Sequence, residues 1–241
     1  GKVLDNITVP KLWVGLKFSA DEKCLYASGG NDNWILKYAI RQQKLVLQDS
    51  IILGAKWPNK KSPTDIHNDD QFLYLVTKDN NSLYVIDLQS KKVIQELKLP
   101  GEAYTCLLSH DKTKLYISCW GCGKLLTYHT GSRQLIAAIN VGSNPNDICL
   151  SKNDKYLYVA NANDNSVSVI DTRNHKILET LNAALYPDAP NGSTTNGVAL
   201  SPDEKTLYIA NADNNCLSVF DVSTPGSSHS KGFIPVGWYP S

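Results

Sequence analysis

Hydrophobic and polar positions alternate along most of this chain, and they do so in short runs broken by polar turns. The clearest stretch runs from Asn144 to Leu181. There, Asp147 to Leu150, Tyr156 to Ala160, Ser166 to Ile170 and Lys176 to Leu181 read as four strands. Ser166 and Ser168 alternate with Val167 and Val169, as a half-buried strand requires. Ser151–Lys155, Asn161–Asn165 and Asp171–His175 are the turns. Asn and Asp suit them because their side chains bond the nearby backbone and tolerate positive φ. The unit is a four-stranded meander.

The unit recurs. A Leu-Tyr pair marks its second strand, with the Tyr at 26, 74, 116, 158 and 208. After it come VANANDNSVSVID (159–171), LVTKDNNSLYVID (75–87) and IANADNNCLSVFD (209–221), with weaker copies at 27–39 and 117–129. A four-stranded repeat of 42 to 50 residues is the pattern of a β-propeller blade. No sustained 3.6-residue period points to a helical solenoid. The expected fold is therefore all-β: a propeller of four-stranded antiparallel blades. Five blades are expected, over about 13–53, 64–99, 103–141, 145–181 and 196–236, within one domain or arc spanning 1–241. Residues 2–10 are expected to form the outer strand of a preceding blade, and GWYPS (237–241) the entry to another first strand. These extra pieces suggest an arc of a larger, seven-bladed ring. An open arc would leave β-edges that invite an edge-to-edge dimer.

Composition changes this picture little. The chain has 241 residues and a formal net charge of +1, enough for a core burying roughly 75% of its unfolded surface. That balance offers no field for nucleic acid, and no apolar run reaches membrane-span length. No basic-then-apolar leader opens the chain. The six cysteines do not share a repeat position, which argues against a disulfide framework.

Aromatic residues carry the main functional signal. Trp13, Trp57 and Trp238 fall in connections between blades, and Trp34 and Trp120 at turns between second and third strands. By topology all five share one face, joined by Tyr104, Tyr186 and Tyr239. Two long connections, 54–63 and 182–195, project from that face too, where loops on a rigid scaffold tend to carry function. Such a mouth suits a glycan, another small ligand or a partner domain. The opposing expectation is that each ring simply packs beneath a loop. A polar inner rim is also expected, from Thr64-Asp65, Tyr104-Thr105, Asn146-Asp147 and Asn196-Gly197 at the entries to first strands. Asp65 and Asp147 would be its carboxylates, a pair a hydrolase could use.

The remaining motifs favour structural roles. His110, His129, His175 and His229 fall at turns around the opposite face and cannot converge. Only His67 approaches the channel, so no metal centre or other cofactor is expected. Cys119-Trp-Gly-Cys122 is a lone CxxC in a hairpin, read as two incidental thiols ahead of a local disulfide. The Asn-Asp-Asn clusters at 31–33 and 163–165, with Asp213-Asn214-Asn215, lack the Gly and distant Glu of a calcium loop. Asp87, Asp171 and Asp221 are expected to cap turns. No GxSxG or Walker loop is present.

At YVANANDNSVSVIDT (158–172) and LYIANADNNCLSVFD (207–221) the chain resembles the YVTN-type propellers. Residues 184–215 and GFIPVGWYP (232–240) are similar to a narrower group, secreted Bacteroidetes proteins in which a YncE-like propeller precedes a phosphoesterase domain of the alkaline phosphatase superfamily. The resemblance implies export to the periplasm or cell surface. It also implies an initial blade, the end of the ring and a C-terminal phosphoesterase domain beyond this segment, none of whose catalytic residues has a match here. The leading expectation is a non-catalytic binding module. The alternatives are a lactonase-like hydrolase at the channel, with Asp65, Asp147 and His67 as its candidates, and a structural surface-layer repeat.

Overall fold

In a computed structural model, all residues are described except 1, 10, 13, 56–57, 70 and 187. Among the described residues there are five four-stranded sheets, each an antiparallel meander of strands consecutive in sequence. Blade one contains β1 (Leu16–Phe18), β2 (Cys24–Ser28), β3 (Trp34–Arg41) and β4 (Lys44–Ile52). Blade two contains β5 (Pro63–Asn68), β6 (Phe72–Thr77), β7 (Ser82–Asp87) and β8 (Lys92–Lys98). Blade three contains β9 (Ala103–Leu108), β10 (Lys114–Cys119), β11 (Lys124–His129) and β12 (Gln134–Asn140). Blade four contains β13 (Pro145–Leu150), β14 (Tyr156–Asn161), β15 (Ser166–Asp171) and β16 (Lys176–Asn182). Blade five contains β17 (Thr195–Leu200), β18 (Thr206–Asn211), β19 (Cys216–Asp221) and β20 (His229–Pro235). This is a β-propeller of four-stranded blades.

The expected outer strand over 2–10 does not form in residues 2–9. There the one backbone link to a blade is a side-chain bond, Leu45 N–H donating to Asp5 Oδ2 at 2.8 Å. Residues 236–241 likewise form no strand. Tyr239 N–H instead donates to Asn215 Oδ1 at 2.9 Å.

The chain divides into two compact units, residues 1–106 and 107–241, the division falling within β9. In each unit the core is the seam between successive blades. In the first, Tyr26, Ile35 and Ile51 of blade one pack on Ile66, Leu75 and Tyr84 of blade two. In the second, Tyr116 and Leu125 of blade three meet Ile148, Val159 and Ile170 of blade four. Tyr158, Val167 and Val169 of blade four meet Val198, Leu207 and Ile209 of blade five. In blades one, three and four the repeated Tyr therefore sits on the trailing face and is buried by the next blade. Tyr116 and Tyr158 are 1% and 2% exposed, but Tyr208 of blade five is 36% exposed. The leading face of blade one shows the converse: Leu16 and Phe18 are both exposed, whereas Ile66 of blade two is fully buried. Both terminal blades thus present apolar faces that an interior blade buries.

Candidate functional site

The inner rim is built from the first strands. Two of them open alike, Pro63-Thr64-Asp65-Ile66 and Pro145-Asn146-Asp147-Ile148. Proline suits a strand's first position, where no ladder donor is needed. The register shifts just after each proline, a local irregularity that re-aims the following side chains. Asp65 Oδ2 accepts from Cys106 N–H at 3.0 Å and from the Thr105 hydroxyl, while Oδ1 accepts from its neighbour Ile66 N–H at 2.8 Å. Asp147 Oδ2 accepts from Val198 N–H at 2.9 Å. Cys106 and Val198 are both the fourth residue of the next blade's first strand, and the aspartates are both the third residue of theirs. One clip is therefore used twice, each carboxylate fastening its blade to the backbone of the next.

The neighbouring rim residues do similar work. Thr64 Oγ1 donates to Ala103 O at 3.2 Å. Asn146 Nδ2 donates to Asn196 Oδ1 at 3.2 Å, and Ser118 Oγ to Asn146 O at 2.6 Å. The rim residues expected from sequence are thus brought together in pairs along the seams. Burial pushes the Asp65 carboxyl above the usual range, against the pull of its donors. Burial, and then the Lys17 charge, hold the His67 imidazole down at about 4, so it is neutral near pH 7. Asn68 N–H donates to its Nδ1 at 3.0 Å. Among the described residues, no three His, Cys, Asp or Glu side chains stand close enough together to hold a metal ion.

The aromatics separate into two kinds. Trp34 packs on backbone: a Cβ added at Gly29 would lie 1.8 Å from Trp34 Cδ1. Its side chain is half-buried. Tyr104 lies on β9, an inner strand, and is half-buried. In residues 107–241, by contrast, Trp120 is 37%, Tyr186 57% and Trp238 88% exposed, beside an exposed Tyr239. These come from the β10–β11 turn, the β16–β17 connection and the segment after β20, which leave the same end of their blades. Trp13 and Trp57 lie outside the described residues.

The long connections are tied down by an asparagine the repeat supplies. Asn33 and Asn165 take the left-handed conformation between second and third strands, at φ 57° and 50°. Asn165 Nδ2 donates to Pro190 O at 2.9 Å, and its Oδ1 accepts from Gly192 and Ser193 N–H at 3.0 and 2.7 Å. Asn33 holds the 54–63 connection in the same way, through Ala55 O at 2.6 Å and Lys61 N–H at 2.8 Å. Beneath the 182–195 connection lies a cleft of about 520 Å³, walled by the end of β12, the start of β15 and the outer strand β16. Sequence reading missed it, because Ser166 and Ser168 read simply as strand alternation. One further correction concerns the CxxC: Cys119 and Cys122 are joined in a disulfide across the turn. Asp87, Asp171 and Asp221 cap turns as expected, accepting from the N–H of Ser90, Arg173 and Ser223.

Residues 106–238, more than half of the chain, match the family described as lactonase, 7-bladed β-propeller. The chain belongs to this lactonase family. Over 78 residues, 32% of the chain, this lactonase-family propeller is 30% identical to Antigen Lp49 of Leptospira interrogans, and the match spans 17% of that antigen. Among solved structures, it resembles a Desulfotomaculum acetoxidans DSM 771 protein of unknown function at 16% identity and TM-score 0.77, covering 98% of this chain and 74% of that one. It resembles a Bacteroides fragilis NCTC 9343 protein, provisionally named a 6-phosphogluconolactonase, at 18% identity and TM-score 0.77, covering 93% and 71%. Hydrazine synthase of Kuenenia stuttgartiensis aligns at 16% identity and TM-score 0.67, covering 98% and 89%. At these identities the structural likenesses establish the fold of this lactonase-family chain.

Proposed function

We propose that this lactonase-family chain is a non-catalytic, YVTN/YncE-like propeller module that binds a ligand or partner domain through the exposed aromatics of residues 107–241. One observation carries the reading: the inner-rim carboxylates already serve as acceptors for backbone N–H groups of the next blade. A hydrolytic base needs a lone pair turned to substrate or water, and Asp65 is buried with three donors around it. Export to the periplasm or cell surface and a phosphoesterase partner domain belong to the same reading. Sequence resemblance supports both.

Family membership favours a second reading, lactone hydrolysis at the inner rim. A single experiment separates the two. The chain is incubated with 6-phosphogluconolactone and glucono-δ-lactone in a pH-stat, with Asp65→Asn and Asp147→Asn alongside. Rates equal to buffer for all three proteins are expected. Wild-type turnover that disappears in a folded Asp65→Asn or Asp147→Asn protein overturns the non-catalytic reading.

A further inference from the structure

We propose that the cleft under the 182–195 connection is a binding site for a neutral saccharide of one or two sugar units, an assignment that rests on the binding-module reading. Its volume of about 520 Å³ lies within the range of roughly 300–1,000 Å³ usual for small-molecule sites. Such sites are mostly apolar with a few polar groups. Here amides and hydroxyls line much of the wall, including Ser166, Ser168, Thr180, Asn182 and Asn191. Ile177 and Ala189 supply apolar surface between them. That mixture fits a sugar, which offers hydroxyls at its rim and C–H groups on its faces.

The polar floor is set in advance. Asn161 Oδ1 accepts from Gly142 N–H at 3.1 Å, which fixes which end of the amide is which. Its Nδ2 then donates to both Ser166 Oγ and Ser168 Oγ at 3.0 Å. Each serine hydroxyl accepts from the amide and keeps its own proton to donate. Gly142 is needed for this approach: a Cβ there would lie 2.6 Å from Asn161 Cγ. Asn165, nearly fully buried, holds the roof in place with both ends of its amide. The ligand therefore meets a formed site and need not order the loop, which limits the entropy lost on binding.

Charge selects the ligand further. Among the described residues, the lining contains one carboxylate, Asp164, and no Lys, Arg or His. Asp164 Oδ2 is engaged by Ser143 N–H. The nearby Lys124 ammonium is directed to Asn140 Oδ1 on the wall. A phosphorylated or carboxylated sugar would gain no cation from the lining and would face Asp164. The site accordingly prefers neutral sugars over sugar phosphates.

The test is saturation-transfer difference NMR on the whole chain with three probes: glucose, cellobiose and glucose 6-phosphate. Cellobiose and glucose are expected to give saturable signals, and glucose 6-phosphate at least tenfold weaker binding. Ala189→Trp, on the loop wall, should fill the cleft and weaken cellobiose at least tenfold. Thr180→Val, isosteric on an exposed strand, should weaken it several-fold, with the far-ultraviolet dichroism of both variants unchanged. Cellobiose binding that survives Ala189→Trp but is lost in Trp120→Ala overturns the cleft assignment and leaves the aromatic-face reading standing. Preference for glucose 6-phosphate overturns the assignment as well. No signal from any probe overturns it together with its glycan ligand class, and partner-domain capture then remains as the measure of the broader reading.

Discussion

The repeated tyrosine offers an internal control for what covers each blade. Tyr158 and Tyr208 occupy the same register in successive blades of the same unit, on β14 and β18, each paired with a valine of the following strand. They differ in cover, at 2% and 36% exposed. A tyrosine buries about 200 Å² when fully covered, so the difference amounts to roughly 70 Å². At about 25 cal/mol per Å², that is roughly 1.7 kcal/mol. Truncating a buried aromatic to Ala costs about 3–5 kcal/mol. Tyr158→Ala should therefore cost about that much, and Tyr208→Ala about 2 kcal/mol less. Urea unfolding followed by tryptophan fluorescence reads the difference. With a slope near 2 kcal/mol per molar, the two midpoints should lie roughly 1 M apart. Equal losses for the two variants, measured at a concentration where sedimentation shows a monomer, would refute the reasoning that the trailing face of blade five is uncovered. Equal losses that appear only as protein concentration rises would identify a second copy as its cover.

Three further outcomes follow from the same geometry. The His67 imidazole, held at about 4 against an ordinary 6.5, stays neutral in the fold while the unfolded chain protonates. Stability is thus full above pH 6.5 and falls by up to roughly 3 kcal/mol as pH drops toward 4, and an imidazole NMR titration with a midpoint near 6.5 would contradict this. Thiol titration in denaturant without reductant should find four thiols, Cys24, Cys106, Cys149 and Cys216, and six would contradict the Cys119–Cys122 bond. Asn165→Gly keeps the left-handed backbone but removes three loop bonds. At about 1 kcal/mol each it should raise thermolysin cleavage at Leu185 a hundredfold or more, and an unchanged rate would show the loop to be held elsewhere.

The blades were legible in the sequence because short apolar runs, some alternating with polar residues, are separated by turns that mostly carry Asn, Asp or Gly. The Leu-Tyr pair located the second strand of every blade, and in blades one, three and four that tyrosine is buried by its neighbour. The clips were not legible. Asp65 and Asp147 reach partners 41 and 51 residues further along, and nothing in the local pattern distinguishes an acceptor for backbone from a base poised for water. The same holds for the cleft, which arises where the end of one blade, the edge of the next and a long connection meet. The close packing of Trp34 on Gly29 was not legible either, because it depends on a residue whose contribution is the side chain it lacks. The disulfide was not legible because a lone CxxC in a hairpin serves equally as two free thiols, and only the geometry of the turn brings the two sulfurs together. The strand expected over 2–10 failed for another reason: apolar alternation there meets a single bond to β4, and a strand needs a ladder.

The asparagines at 33 and 165 also bear on how such a molecule can change. Each fixes where its connection lands, so whatever lies between departure and landing is relieved of positioning the next blade. Insertions and deletions in 54–63 or 182–195 can then accumulate without disturbing the seams on either side. The arrangement separates variation from architecture, much as a socket separates an appliance from the wiring. New recognition surfaces can be tried in these two stretches while the rest of the chain stays unchanged.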